Sequence, residues 1–243
     1  MIVYGLNPVL EAMRARAGQI RFVGVSATEK KRLAKVIGEA KEAGIPVRIM
    51  PVEQIGRLAG GKTHNGVIAD ISDVEYADLE EILGRDEAPR RIIVLDGVQD
   101  PQNLGAVLRV ADGFGFGVVV IPKHDAVGLT ATAVKASAGA AEWVPVAQVT
   151  NLARTLEELK EAGYWVYAAV ADGEAVFSVD FADKVVLVLG SEGRGIRRNV
   201  LEHSDVRVSI PMRGEVSSLN VATAGAVLAW EVDRQATAKG REG

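Results

Sequence analysis

The chain has 243 residues, 48% hydrophobic and 25% charged, with no cysteine, three histidines and a formal net charge of −4. This is the composition of a globular protein, and the lack of cysteine excludes a disulfide scaffold, a thiolate nucleophile and any thiolate-ligated metal. The scattered His64, His124 and His203 offer no metal centre, no apolar run approaches the roughly 20 residues of a membrane span, and the N-terminus lacks the pattern of a secretory leader, so a cytoplasmic protein without metal or membrane partner is expected.

The net charge conceals three blocks. Residues 1–72 hold 11 Lys/Arg against 6 Asp/Glu, residues 73–88 hold 1 against 7, and residues 89–243 hold 16 against 19. That pattern predicts a basic module, an acidic linker and a nearly neutral module. Basic surface attracts polyanions, although a charge run equally serves as a plain solvated face. In the first module, helical spacing of apolar residues marks 8–13 and 33–40, and β-rich runs mark 21–26, 47–50 and 66–71. Gly44 followed by Pro46 stops the second helix. The sum is a small α/β unit, followed by a linker with one short amphipathic helix that Pro89 closes.

The second module alternates more regularly. Strands are predicted over 91–96, 117–121, 143–146, 165–170, 185–189 and 207–210. Helices are predicted over 103–114, 130–136, 151–162, 194–201 and 217–236. Near-continuous apolar runs such as VVLVLG indicate strands covered on both faces, hence a mostly parallel α/β sheet. Ligands of such sheets bind beyond the carboxyl ends of the strands, so the segments that follow strands carry the functional information.

Three of them stand out. After the first strand comes DPQNLGAVLRVADGFG, in which Asp100 can cap a helix begun by Pro101. Leu104, Val107, Leu108 and Ala111 make its buried stripe. Arg109 lies off that stripe, one turn beyond Gly105, whose missing side chain leaves room for the arginine to lie back toward the helix start. Taken alone, Arg109 also reads as a surface arginine and Asn103 as a plain cap. After the fifth strand comes LGSEGRGI, a glycine-rich turn around Glu192. Its spacing is not that of the dinucleotide fingerprint, and a carboxylate there suits a donor-rich or cationic ligand rather than a phosphate. After the sixth strand comes IPMRGEVSSLNVATAGAVL, where Ser217 or Ser218 can cap a helix with Asn220 in its first turn. Small residues then crowd that helix and permit close packing.

In this order and spacing, the three segments resemble the signature motifs of the SpoU (TrmH-type) RNA ribose 2′-O-methyltransferases, S-adenosylmethionine enzymes of the SPOUT class. The resemblance covers residues 90–235 and includes KASAGAAEWVPV. The first module, with VYGLNPVLEAM near its start and HNGVIA near its end, resembles the ribosomal-protein-like substrate-binding domain of one branch of that family. That branch methylates a guanosine ribose of large-subunit (23S) rRNA. It usually reads His-Gln-Gly where this chain has His64-Asn65-Gly66, a departure that bears on the substrate and not on the chemistry. The resemblance implies an α/β fold with a deep C-terminal trefoil knot, a homodimer with active sites near the subunit interface, and RNA as partner. It divides the chain into an RNA-binding domain (1–72), a linker (73–88) and a methyltransferase domain (89–243). It also implies a catalytic set of Asn103, Arg109, Glu192, Ser218 and Asn220, with S-adenosylmethionine held by the backbone around Gly190, Ile210 and Leu219.

The implied reaction needs few parts. A ribose 2′-OH loses its proton while attacking a sulfonium methyl, so alignment and charge stabilisation dominate. Arginine side chains stay protonated throughout the physiological range, and removing such a proton at neutral pH costs about 7 kcal/mol. Arg109 is therefore expected to anchor a phosphate and stabilise the developing alkoxide. Ser218 and Asn220 would orient Arg109 or the ribose, Asn103 would support them, and Glu192 would accept from Arg109 or the RNA. The same reaction on tRNA and a catalytically silent RNA-binding relative are the alternatives. Against silence stands the presence of all five motif residues.

Overall fold

Apolar alternation in the first module folds as expected and adds two elements. The structure, a computed structural model, describes residues 1–71, 76–215 and 218–240. The module contains β1 (Ile2–Tyr4), α1 (Leu6–Arg16), β2 (Ile20–Ser26), α2 (Ala34–Glu42), β3 (Val47–Met50), α3 (Val52–Leu58) and β4 (Val67–Ile71). Its sheet runs β1-β4-β2-β3, with β4 antiparallel to both neighbours and β3 parallel to β2. The sequence carries no clear signal for β1 or α3. Three residues are too few to show a period, and α3 buries only Ile55.

Residues 73–75 of the predicted linker lie outside the described residues. The rest is fastened to the second module: Ala77 bridges to Ala147, the Leu129 N–H donates to the Tyr76 hydroxyl at 3.1 Å, and Asp78 caps α4 (Leu79–Leu83).

The second module continues with β5 (Arg91–Asp96), α5 (Pro101–Gly113), β6 (Val118–Pro122), α6 (Ala131–Ala136), β7 (Val146–Val149), α7 (Leu152–Glu161), β8 (Trp165–Ala175), β9 (Val185–Gly190), α8 (Arg198–Leu201), β10 (Val206–Ser209) and α9 (Val221–Ala238). The six strands are parallel throughout, in the order β10-β8-β9-β5-β6-β7. Each central strand sends alternate residues to opposite faces. Ile93, Leu95, Val119, Ile121, Leu187 and Leu189 join the core with α5, α6 and α9. Their neighbours Ile92, Val94, Val118, Val120, Val186 and Val188 pack with α7 and α8 on the other face. The fold is thus the predicted small α/β unit followed by a parallel α/β sheet.

Four elements of the second module differ from expectation by three residues or more at one end or both. The strand expected at 143–146 lies at Val146–Val149, because the left-handed Gly139 starts a short 3-10 turn, Ala140–Glu142, that Trp143 ends. The helix expected over 194–201 shrinks to Arg198–Leu201, since residues 191–195 close on themselves and Arg197 is drawn to Asp96. The last helix begins at Val221 with Asn220 as its cap; Ser218 precedes the cap and Ser217 lies outside the described residues. Finally, β8 extends to Ala175. Its register with β10 jumps from Ala168↔Arg207 to Glu174↔Val208, so residues 169–173 leave the ladder as a bulge.

The first module does not stand apart. Val3, Val9, Leu10 and Met13 belong to one continuous apolar core with Val134, Ala140 and Leu104. Lys135 donates to the Thr63 carbonyl at 2.5 Å and stacks 4.7 Å over the Tyr4 ring, and Lys62 bonds Thr132.

Candidate active site

The site lies where β5 and β9 end side by side, with Asp96 paired to Gly190 in register. Asp96 is fully buried and accepts from the Arg197 N–H and Nε, both at 2.7 Å. A buried carboxylate requires such partners, and the pair pins the far end of the glycine-rich turn against the end of β5. Within the turn, Ser191 and Gly195 exchange backbone hydrogen bonds at 2.9 and 3.2 Å. Gly190 has no room for a side chain: a Cβ there would stand 2.3 Å from the Gly195 carbonyl carbon and 2.4 Å from the Ile196 nitrogen.

Three of the five expected catalytic residues converge. Asn220 Nδ2 donates to Glu192 Oε1 at 2.5 Å and to Asn103 Oδ1 at 2.9 Å, and Asn103 Nδ2 donates to the same Glu192 oxygen at 3.2 Å. One residue from each motif thus forms a closed cluster across 117 residues of sequence. Glu192 accepts from these two amides rather than from Arg109. The remaining atom of Asn220, Oδ1, accepts from the Ala222 and Thr223 N–H groups and caps α9. Asn103 is a helical residue of α5, not its cap; Asp100 caps that helix through the Gln102 N–H at 2.8 Å, and Pro101 occupies its first turn.

The structure does not bring Arg109 into the cluster. Six residues along α5 place it about 120° around the axis and about 9 Å along it from Asn103. There it is exposed and makes no hydrogen bond or ion pair among the described residues. Gly105 does not make room for it either. That glycine is buried against α6, where a Cβ would stand 2.4 Å from the Ala133 carbonyl oxygen. Ser218 is exposed and also stays outside the hydrogen-bonded cluster.

Glu192 stands on the partition between two clefts. One, of about 580 Å³, is walled by the apolar side chains of Leu189, Ile196, Val208 and Leu228 and by the β8 bulge. Gly190, Ile210, Leu219 and Ser218, all singled out from the sequence, line it. The other, of about 430 Å³, is polar and is lined by Asp96, Asp100, Asn103, Asp125, Arg194 and Arg197 among others. Sequence reading missed Asp96, Arg197 and the bulge. An aspartate closing an apolar strand was the available signal for the first, whereas a register jump leaves no sequence signature. Among the described residues no group of His, Cys, Asp or Glu could hold a metal, and no helix is long and apolar enough to cross a membrane.

An apolar cleft and a polar one meeting beyond the carboxyl ends of a parallel sheet define an α/β enzyme with a two-part ligand site. Residues 90–230 match the SpoU rRNA Methylase family, and residues 2–77 match the family described as RNA 2′-O ribose methyltransferase substrate binding. The chain belongs to the SpoU rRNA methylase family. It is 41% identical over 240 residues to the 23S rRNA (guanosine-2′-O-)-methyltransferase RlmB of Xylella fastidiosa (strain Temecula1), covering 97% of this chain and 96% of that protein. It is 40% identical over 237 residues to YacO of Bacillus subtilis (strain 168), named for the TrmH family of tRNA/rRNA methyltransferases, covering 96% and 95%. Among solved structures, the SpoU methyltransferase AviRb of Streptomyces viridochromogenes, in complex with AdoMet, shares the fold with a TM-score of 0.80 over 98% of this chain and 91% of that one, at 23% identity.

Proposed function

We propose that the chain transfers a methyl group from S-adenosylmethionine to a ribose 2′-hydroxyl of RNA, the target being a loop guanosine of 23S rRNA. The observation that carries this reading is the Asn103–Glu192–Asn220 cluster on the wall between an apolar and a polar cleft. The full-length similarity to 23S rRNA guanosine-2′-O-methyltransferases supports it.

The apolar cleft fits the cofactor. Leu189, Ile196, Val208 and Leu228 offer faces for an adenine, and the backbone around Gly190, Ile210 and Leu219 offers hydrogen-bonding edges beside them. S-adenosylmethionine supplies the methyl on a sulfonium. The ribose enters from the polar side, where Asn103, Glu192 and Asn220 hold the wall of the site in one geometry. The 2′-oxygen would take the methyl while giving its proton to solvent water, the sulfur would keep the electron pair of the broken bond and leave as a neutral thioether, and a guanidinium beside the oxygen would stabilise its developing charge.

That guanidinium is Arg109. Because it faces away from its own cluster, it acts across a homodimer interface. The exposed apolar residues Val227 and Trp230 on α9 support such pairing. The first domain (1–72) supplies RNA affinity through phosphates, with Lys30 and Lys31, exposed and unpaired among the described residues, within its basic set; residues 73–88 link it to the methyltransferase domain (89–243). The substrate places the enzyme in the cytoplasm.

The test is transfer of labelled methyl to a target-loop hairpin, made with either ribose or deoxyribose at the guanosine, beside a tRNA control. The ribose hairpin is labelled, and the deoxyribose form binds with little loss, since most contacts go to neighbouring phosphates, but is not labelled. Equal labelling of both hairpins means methylation of a base and overturns the reading; labelling of tRNA alone moves the substrate.

A further inference from the structure

The turn over residues 191–195 carries two side chains of opposite charge with opposite fates. Glu192 is held by Asn103 and Asn220. Arg194, two residues on, lines both clefts, is exposed and makes no hydrogen bond or ion pair among the described residues. Its position is fixed at the base. The flanking Gly193 and Gly195 take left-handed conformations, φ +84° and +66°, and the Ser191–Gly195 bridge closes the turn beneath them.

The unengaged state of Arg194 is notable because carboxylates line the same cleft. Asp96 is occupied by Arg197, and Asp100 caps α5. Asp125 holds the left-handed φ of +58° in the loop beyond β6. Among the described residues, the polar cleft therefore contains four carboxylates (Asp96, Asp100, Asp125 and Glu192) and two guanidiniums, one of which is already committed to Asp96. A phosphodiester approaching that wall would be repelled by the excess negative charge, and among the described residues lining the cleft Arg194 is the cation without a hydrogen bond or ion pair. Its planar fork matches two phosphate oxygens at once.

We infer that Arg194 binds an oxyanion of the incoming substrates, namely the RNA phosphate beside the reacting ribose, and so positions the 2′-oxygen at the border of the two clefts. The inference rests on the ribose methyltransferase reading above and adds a positioning residue to it. A fixed phosphate removes the rotational freedom of its ribose, which is the kind of alignment that in-line transfer requires.

The experiment compares wild type, Arg194→Ala and Arg194→Lys on an unmodified 23S rRNA transcript. It reads KM for RNA, kcat, S-adenosylmethionine affinity by calorimetry, and RNA affinity by filter binding between 50 and 200 mM KCl. Arg194→Ala raises KM for RNA about tenfold and lowers the slope of log affinity against log salt by about 0.7–0.9, the signature of one lost phosphate contact. Arg194→Lys restores the slope but only part of the KM, because a point charge replaces the fork. Cofactor affinity stays within about twofold in both. An unchanged slope and KM in Arg194→Ala overturn the assignment, and a parallel fall in cofactor affinity overturns it in favour of the cofactor's carboxylate. A wild type that leaves the ribose of the transcript unlabelled overturns the methyltransferase reading itself.

Discussion

Asn220 uses the two ends of one amide for two purposes. Its Oδ1 caps α9 while its Nδ2 holds Glu192 and Asn103. Substitutions can separate these roles. Serine is as good a cap as asparagine but has no second donor to reach Glu192. Asn220→Ser is therefore expected to keep the thermal midpoint of wild type and to lose about 100-fold in kcat, the scale on which a misplaced reacting group costs rate. Asn220→Ala loses the cap as well, about 1 kcal/mol. Thermal melts and single-turnover methyl transfer check both, and a Ser variant with wild-type kcat would show that the cluster serves the helix alone. From the sequence Asn220 was legible as a family position and as a first-turn residue; its capping role was not, because two adjacent serines compete for the same assignment on paper.

At the scale of elements, contact between α5 and α6 depends on a missing side chain. A Cβ on Gly105 would meet the Ala133 oxygen at 2.4 Å and the Ala136 Cβ at 2.5 Å, whereas a Cβ on Gly113 of the same helix meets nothing within 4 Å. Gly105→Ala must push α6 away, at about 1–3 kcal/mol. Gly113→Ala only restricts the unfolded chain and is expected to stabilise by about 0.4–1 kcal/mol. Urea midpoints of the two variants move in opposite directions; two shifts of the same sign would contradict the packing described. The buried stripe of α5 was readable from its 3.6-residue period. The function of Gly105 was not, since a period tells which residues face inward and nothing about how near the next backbone comes.

For the whole molecule, the position of Arg109 decides how many chains make one site. Exposed and about 120° around α5 from Asn103, it stays outside its own chain's hydrogen-bonded cluster, and in the function proposed above it serves the cluster of a second copy. Homodimers of Arg109→Ala are expected to bind S-adenosylmethionine nearly as wild type does and to transfer no methyl. Homodimers of Asn220→Ser are nearly inactive for the separate reason given above. When the two variants are unfolded and refolded together, random pairing makes half the dimers mixed, and each mixed dimer regains one intact site, about a quarter of wild-type activity in all. Activity no greater than the mean of the parents would place Arg109 in its own chain's site.

The sequence by itself determined the local structure and the chemistry at hand. Periods of 2 and 3.6 set most strands and helices, Asp100–Pro101 set the start of α5, and three ordered motifs supplied the residues that line the clefts. Tertiary structure alone decided which of those residues meet. It joined Asn103, Glu192 and Asn220, kept Arg109 apart from them, bound Arg197 to Asp96, and merged the first module's core with that of the second. The physical reason is range. Burial patterns and caps arise between residues a few positions apart, whereas a contact across 117 residues depends on strand order and on how closely backbones can pass where side chains are absent.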